Sequence, residues 1–153
     1  MIAVLQRLSR GSVVIDGREV AAAEKGLLIL LGVADGDTQI DADLLADKIA
    51  KLRIFEDENG KMNLSINDVG GSAIVVSNFT LLANYKHGNR PDFLSAAKTP
   101  VSEPLYEYFK SRLAGLVPSV SSGVFGADMK VSITNDGPVT IVMDSNVLKA
   151  GNK

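Results

Sequence analysis

The feature that most restricts the fold of this chain is the apolar run Leu27-Leu28-Ile29-Leu30-Leu31-Gly32-Val33, which follows the turn pair Lys25-Gly26. No polar residue within the run marks a face turned to water, and this is typical of a β-strand buried on both sides. A membrane-spanning helix needs about 20 apolar residues, so the run is too short for one. The sequence therefore predicts a strand at residues 27–33 that is buried on both faces.

Length and composition favour a single globular domain. Of the 153 residues, 46% are hydrophobic and 22% are charged, which is ordinary for a folded protein. A chain of this length buries roughly 68–70% of the surface that its unfolded form exposes. The absence of cysteine excludes disulfides, thiolate nucleophiles and zinc–thiolate sites. We expect the domain to span residues 1–145 and to be followed by a flexible tail at 146–153.

The charge distribution and the first residues restrict the location and the partners. The start of the chain lacks the basic region and the long apolar run of a signal peptide, so we expect a cytoplasmic protein with no membrane contact. The net charge is −2, and no cluster of lysine or arginine forms a stripe for a nucleic-acid backbone. Any contact with nucleic acid should therefore involve few phosphates.

Hydrophobic periodicity and turn residues predict about eight strands and two main helices. Strands are predicted at 2–8, 12–15, 18–23, 27–33, 53–55, 62–66 and 72–82, with a closing pair at 129–134 and 139–143 around a turn at 135–138. The sum is an α+β domain with a mixed β-sheet curled on itself like a barrel.

Two capping patterns place the helices. Thr38 with Asp41 three residues later forms a capping box, and the apolar stripe after it is assigned to Ile40, Leu44, Ile49 and Leu52. The second helix is predicted to be capped by Ser102, with a proline in its first turn. In the connection at 83–100 the apolar residues follow neither a helical nor a strand period. A connection of this length inside a compact domain is often functional.

The residues alone do not assemble a complete catalytic set. The single histidine, His87, would have to serve any Ser–His–Asp hydrolase, with Ser77 as its nucleophile, and no nucleophile elbow accompanies that serine. A solvated loop histidine is the simpler interpretation. The acidic clusters at 35–43 and 56–60 are better explained as a helix start and a turn than as metal ligands, so we expect neither metal nor cofactor.

Two short segments nevertheless carry a resemblance to a known family. Ser77-Asn78-Phe79-Thr80-Leu81 and Asn135-Asp136-Gly137-Pro138-Val139-Thr140 resemble the two signature motifs of D-aminoacyl-tRNA deacylases. Further segments agree in order and spacing, so that the match runs from Met1 to about Met143. They are Gln6-Arg7, Arg53-Ile54-Phe55, Gly60-Lys61-Met62-Asn63-Leu64, Arg90-Pro91-Asp92-Phe93 and Phe125-Gly126-Ala127-Asp128-Met129.

The resemblance implies a deacylase-like fold and hydrolysis of the ester between a D-amino acid, or glycine mischarged on tRNA(Ala), and the 3′ end of tRNA. It implies catalytic roles for Ser77, Asn78, Phe79 and Thr80. The working groups would be main-chain N–H groups at 78 or 79 and the 2′-hydroxyl of the terminal adenosine. The family usually has glutamine where this chain has Asn78, so the side-chain amide is one methylene shorter. A strand end with Phe79 in the core is the structural alternative.

The second motif implies a structure that distinguishes D-amino acids from L-amino acids. Gly137 and Pro138 resemble the family's Gly-cisPro gate, which inserts into the pocket of a partner subunit and leaves no room for an L side chain. A homodimer follows from this resemblance. Arg7 would brace the gate through its guanidinium group, and a charge at the edge of a strand is its structural alternative.

The remaining assignments concern the RNA end. Phe125 and Met129 would wall the adenosine pocket, and Lys86 and Arg90 would contact tRNA phosphates. Core packing for the first pair and ordinary surface charge for the second are the structural alternatives. A serine esterase and a non-catalytic module that binds RNA ends or small molecules remain the competing functions.

Overall fold

A computed structural model describes residues 1–151 of the chain. In that range the strands are β1 Ile2–Ile15, β2 Arg18–Ala23, β3 Gly26–Gly32, β4 Phe55–Glu56, β5 Met62–Leu64, β6 Ser72–Ser77, β7 Ser119–Ser122 and β8 Lys130–Asp144. The helices are α1 Gln39–Lys51, α2 Thr99–Ala114 and α3 Ser145–Gly151, with a short 3₁₀ helix at Phe79–Leu82.

The main sheet has the order β2-β1-β3-β6-β7, and β8 pairs with the other edge of β1. β1 is antiparallel to β2, β3 and β8, whereas β3, β6 and β7 run parallel to one another. β4 and β5 form a separate two-stranded sheet. This nearly closed mixed sheet with helices confirms the predicted α+β fold class. No helix in residues 1–151 is both long and apolar enough to cross a membrane.

Strand β3 is buried on both faces, as its apolar run predicts. Leu27, Ile29 and Leu31 pack into the cluster formed with α1 and α2. Leu28 and Leu30 point the other way, into a second cluster enclosed by the curled sheet. One strand therefore supplies both hydrophobic cores.

Helix α1 begins at the predicted cap, but the predicted apolar stripe is partly wrong. Thr38 N–H donates to Asp41 Oδ2 at 2.8 Å, which completes the capping box. Ile40 is 63% exposed because it lies in the first turn and points away from the sheet. The buried face instead alternates small and large residues, with Ala42 and Ala46 beside Leu45, and this allows a close approach to the core.

Helix α2 starts earlier than predicted, so Ser102 is not its cap. Lys98 occupies the N-cap position without a side-chain capping hydrogen bond, and Pro100 lies in the first turn. Pro104 lies inside the helix. A proline near a helix start is tolerated because the first N–H groups have no partner within the helix in any case.

The predicted strand pair at 129–143 is one strand. Both halves of β8 pair with β1, as the partners Gly11↔Ile133 and Leu5↔Ile141 show. The register shifts between Gln6 and Leu8 and again between Leu8 and Arg10, and residues 136–139 leave the ladder as a loop. The prediction of a hairpin was wrong because the sequence Asn-Asp-Gly-Pro is compatible both with a tight turn and with a long bulge in a continuous strand.

The segment predicted as a flexible tail forms α3 instead, up to Gly151; Asn152 and Lys153 lie outside the described residues. Ser145 N–H donates to the Met1 carbonyl at 3.0 Å, and Ser145 Oγ donates to Asp41 Oδ1 at 2.6 Å. Lys149 Nζ lies 2.5 Å from the same carboxylate. These polar contacts, which hydrophobic periodicity does not reveal, attach the helix to α1.

The buried Asp41 carboxylate is held in its charged form. Burial alone would raise its pKa, but hydrogen bonds from Lys149, Ser145 and the Thr38 main chain outweigh that effect. The pKa of Asp41 therefore lies well below its ordinary value. A carboxylate with a lowered folded-state pKa stabilises the fold at neutral pH and loses this effect as the solution is acidified.

We expect Asp41→Asn to lower the free energy of unfolding at neutral pH by about 3 kcal/mol, because a neutral amide loses the charge-assisted hydrogen bonds that Lys149, Ser145 and the Thr38 main chain donate to the buried carboxylate. The deficit should shrink below about pH 4, where the unfolded wild-type carboxylate takes up protons. Urea titrations over a pH series measure both effects. Asp35→Asn, at an exposed position, is the matched control. A deficit that is independent of pH would contradict the assignment.

Candidate functional site

A cleft of about 840 Å³ opens where the parallel strands β3 and β6 end. Parallel neighbours end at the same edge of a sheet, and this edge is where open α/β sheets commonly bind ligands. The end of β6 lines one part of the cleft, the start of α2 lines another, and the segment after β7 lines a third. The chain thus brings three distant segments to one concave surface.

The turn after β6 is fixed by its own main chain. Asn78 N–H donates to the Leu31 carbonyl at 2.8 Å, so this N–H is occupied. Thr80 N–H donates to Asn78 Oδ1 at 3.2 Å, and the Thr80 hydroxyl donates to the same oxygen. The Phe79 N–H, by contrast, has no acceptor among residues 1–151. Of the two N–H groups predicted from the resemblance, only that of Phe79 is available to a ligand.

A glycine opposite this turn allows the close approach. A Cβ at Gly32 would lie 3.1 Å from the Asn78 carbonyl oxygen and 2.5 Å from Leu82 Cδ2. Such contacts are shorter than normal van der Waals separations, so any side chain here would push the turn away from β3. The position of the Phe79 N–H therefore depends on the bare backbone at 32.

Phe79 does not fill the core, so that structural alternative is wrong. Its side chain is 59% exposed and lies edge-on against Phe93, with the ring centroids 5.1 Å apart and the planes at 83°. Both rings line the cleft. Phe93 comes from the long connection at 83–98, which therefore contributes an aromatic group to the site.

The wall formed by the segment after β7 is aromatic and apolar. Phe125 and Met129 are half-buried and line the cleft. Phe125 packs against Tyr106 of α2 with centroids 5.7 Å apart. The Tyr106 hydroxyl donates to the Val75 carbonyl at 3.1 Å, and burial raises the pKa of Tyr106 to about 12. This tyrosine is therefore a fixed structural donor at neutral pH.

Arg7 holds the 136–139 loop against the rest of the domain. Its side chain is only 5% exposed, Nε donates to the Asp136 carbonyl at 3.1 Å, and Nη1 donates to the Ile54 carbonyl at 2.8 Å. The carboxylates of Glu56 and Asp136 lie 3.7 and 3.5 Å from its nitrogens. A planar group with several donors is suited to this task, whereas a single ammonium is not.

The loop itself projects outward. Gly137 and Pro138 are exposed, their peptide bond is cis, and neither residue lines the cleft of its own chain. Gly137 has φ +130, and a Cβ there would lie 2.9 Å from Val139 N and 3.2 Å from Arg7 Nη2. Only glycine fits this backbone and this spacing.

Several candidate residues lie away from the cleft. Lys86, His87 and Arg90 are exposed in the loop closed by main-chain hydrogen bonds between Asn84 and Asp92, at 2.8 and 2.9 Å. Ser77 lines the cleft but His87 does not, so the two are not brought together as a catalytic pair. No group of three or more His, Asp or Glu residues suited to a metal occurs among residues 1–151.

Helix α2 contributes a part of the cleft that the sequence did not predict. Lys98, Thr99, Ser102 and Tyr106 all line the cleft. Ser102 had been assigned to a helix cap, and the only sequence signal for the earlier helix start was Pro100. Phe93 belongs to a segment noted for its resemblance, but no role had been given to it.

Comparisons with known proteins agree over nearly the whole chain. The family model described as D-Tyr-tRNA(Tyr) deacylase matches residues 4–144. A D-aminoacyl-tRNA deacylase of Caldicellulosiruptor saccharolyticus is 53% identical over 145 residues, covering 95% of this chain and 97% of the relative. The D-aminoacyl-tRNA deacylase of Flavobacterium psychrophilum is 54% identical over 146 residues, again covering 95% and 97%.

Two solved structures share the fold. One, described as a c-Myc DNA unwinding element binding protein, has a TM-score of 0.89 and 41% identity, and the match covers 94% of this chain and 98% of that one. The other, a probable eukaryotic D-amino acid tRNA deacylase, has a TM-score of 0.80 and covers 93% and 97%. At 16% identity the second likeness concerns the fold alone.

We expect Arg7→Lys to lower the free energy of unfolding by about 1–3 kcal/mol, because one ammonium cannot satisfy both the Ile54 and Asp136 carbonyls. Arg10→Lys, on the same strand but exposed, is the matched control and should change it by no more than about 0.5 kcal/mol. Chemical denaturation measures both. Equal effects of the two substitutions would contradict the bracing role of Arg7.

Proposed function

We propose that this chain, which belongs to the D-Tyr-tRNA(Tyr) deacylase family, hydrolyses the ester bond between a D-amino acid and the 3′ end of tRNA. The observation that carries the proposal is the unpaired main-chain N–H of Phe79, a residue that follows β6 and lines, together with Phe125, a cleft large enough for an aminoacylated nucleoside. The same site would accept glycine mischarged on tRNA(Ala), since glycine has no side chain to exclude.

The cleft chemistry suits an ester better than an amide. An aminoacyl ester is already activated, so a positioned water and a donor for the developing oxyanion are sufficient help. The Phe79 N–H is that donor in our proposal, with Ser77 and Thr80 framing the turn. The described lining of the cleft contains no carboxylate and no imidazole that could act as a base. In our proposal the 2′-hydroxyl of the terminal adenosine takes the place of that side-chain base.

Asn78 in this proposal shapes the turn and does not touch substrate with its amide oxygen. That oxygen already accepts from the Thr80 N–H and hydroxyl. A shorter side chain than glutamine keeps these contacts local, so its presence is compatible with activity. Phe125 and Met129 are the proposed walls of the adenosine pocket, and Lys86 and Arg90 are proposed to meet the RNA further from the ester.

Chiral selection is proposed to come from a second copy of the chain. Gly137 and Pro138 project from the sheet and take no part in the lining of their own cleft, so they are free to enter the cleft of a partner. In a symmetric dimer each subunit would complete the site of the other. An L side chain would collide with this gate, and a D side chain would point away from it.

The activity itself is tested with D-Tyr-tRNA and L-Tyr-tRNA side by side. We expect hydrolysis of the D ester, with the L ester slower by on the order of 100-fold, which corresponds to a steric penalty of about 3 kcal/mol. His87→Ala should leave the D rate unchanged, whereas a serine esterase using Ser77 and His87 would lose it. Binding of tRNA without turnover would support the non-catalytic module instead.

The gate is tested by Gly137→Ala. The added Cβ would meet Val139 N and Arg7 Nη2, displacing the loop, so we expect the ratio of D to L rates to fall about tenfold. Gly115→Ala, where the nearest atom to an added Cβ is 3.5 Å away, is the matched control. An unchanged ratio, or a monomer by sedimentation equilibrium, would contradict the shared-site arrangement.

A further inference from the structure

The amino-terminal end of α2 contributes a strip of polar side chains to the cleft. Lys98, Ser102 and Tyr106 follow one another at intervals of four residues, which places them on one face of the helix. All three line the cleft. Tyr106 is the inner member, against Phe125, and Lys98 is the exposed outer member.

This end of the helix is electrostatically uncompensated. Its first turn contains no acidic residue, and its N-cap side chain makes no capping hydrogen bond. The main-chain N–H groups of Lys98 and Thr99 have no acceptor among residues 1–151. Lys98 is the one acidic or basic residue among those lining the cleft in this range, and none of the ion pairs among residues 1–151 includes it. Helix dipole, free N–H groups and a cation all favour an anion at this place.

Ser102 supplies an independent sign of a ligand. Only 7% of this residue is exposed, yet its hydroxyl has no hydrogen-bond partner among residues 1–151. Buried hydroxyl groups are normally paired, and no fully enclosed side-chain oxygen or nitrogen in the described range lacks a partner. An unpaired Ser102 hydroxyl is therefore not fully enclosed, and it is accessible from the cleft that this residue lines.

We infer that the start of α2 binds the phosphodiester that joins the terminal adenosine of the RNA to the preceding nucleotide. This inference rests on the proposed function and adds a subsite to it. Thr99 N–H and the Ser102 hydroxyl donate to the non-bridging oxygens, and Lys98 provides the countercharge. A nucleoside held against Phe125 has its ribose within the same cleft, so its 5′-phosphate meets the nearby helix end. The acyl group is then directed towards the Phe79 N–H.

The test measures binding of uncharged RNA ends, so that hydrolysis plays no part in it. The probes are the dinucleotide CpA, the same dinucleotide with a neutral methylphosphonate linkage, and inorganic phosphate. Calorimetry at about 0.15 M salt limits long-range charge effects. We expect the wild type to bind CpA about tenfold more tightly than the neutral analogue.

Lys98→Ala and Ser102→Ala should each reduce this preference to about threefold or less, whereas Lys48→Ala, an exposed lysine on α1, should retain it. Equal affinity of the wild type for the two dinucleotides, or an unchanged preference in both cleft variants, would overturn the inference. Displacement of CpA by inorganic phosphate at the same concentration would also overturn it, since the site would then bind any anion. If the protein prefers CpA over the neutral analogue but does not hydrolyse the D-aminoacyl ester, only the proposed hydrolase activity is disproved.

Discussion

The fold depends on the hydrogen bonding of β1 along both of its edges. This strand of 14 residues pairs with β3 on one side and with β8 on the other, and its second half also pairs with β2. No other strand of the described chain connects so many elements. Because successive side chains alternate between faces, Gln6 lines the cleft while Arg7 points to the opposite side and holds the projecting loop. Adjacent residues of one strand therefore fix the cleft and the proposed gate relative to each other.

The parts of the fold that were predicted correctly are those with a strong local signal. The apolar run of β3 and the capping box of Thr38 and Asp41 each specify their structure within a few residues. The predictions that were wrong concern elements whose structure depends on residues far away in the chain. β8 looked like a hairpin because its Asn-Asp-Gly-Pro segment resembles a turn, and only pairing with β1 reveals a single strand. The α3 helix depends on Asp41, more than 100 residues earlier in the chain.

The site was predictable only through its resemblance to a family, and even then incompletely. Composition and spacing identified no catalytic set, because the available donor is a main-chain N–H that belongs to no particular residue type. The availability of that N–H at Phe79, and the engagement of its neighbour at Asn78, follow from the Leu31 carbonyl across the sheet. Likewise, serine commonly caps helices, yet Ser102 lies inside α2 and lines the cleft, because α2 begins at Thr99.

The lack of acidic and imidazole side chains in the described cleft has a consequence for how the protein responds to its surroundings. A cleft lined by no carboxylate and no imidazole has no group of these types whose protonation state the protein must maintain near neutrality. The ester it would act on has a titratable group, the α-amino group of the amino acid. A cell whose interior becomes more acidic would therefore alter the reaction through its substrate, while the protein's contribution stays constant.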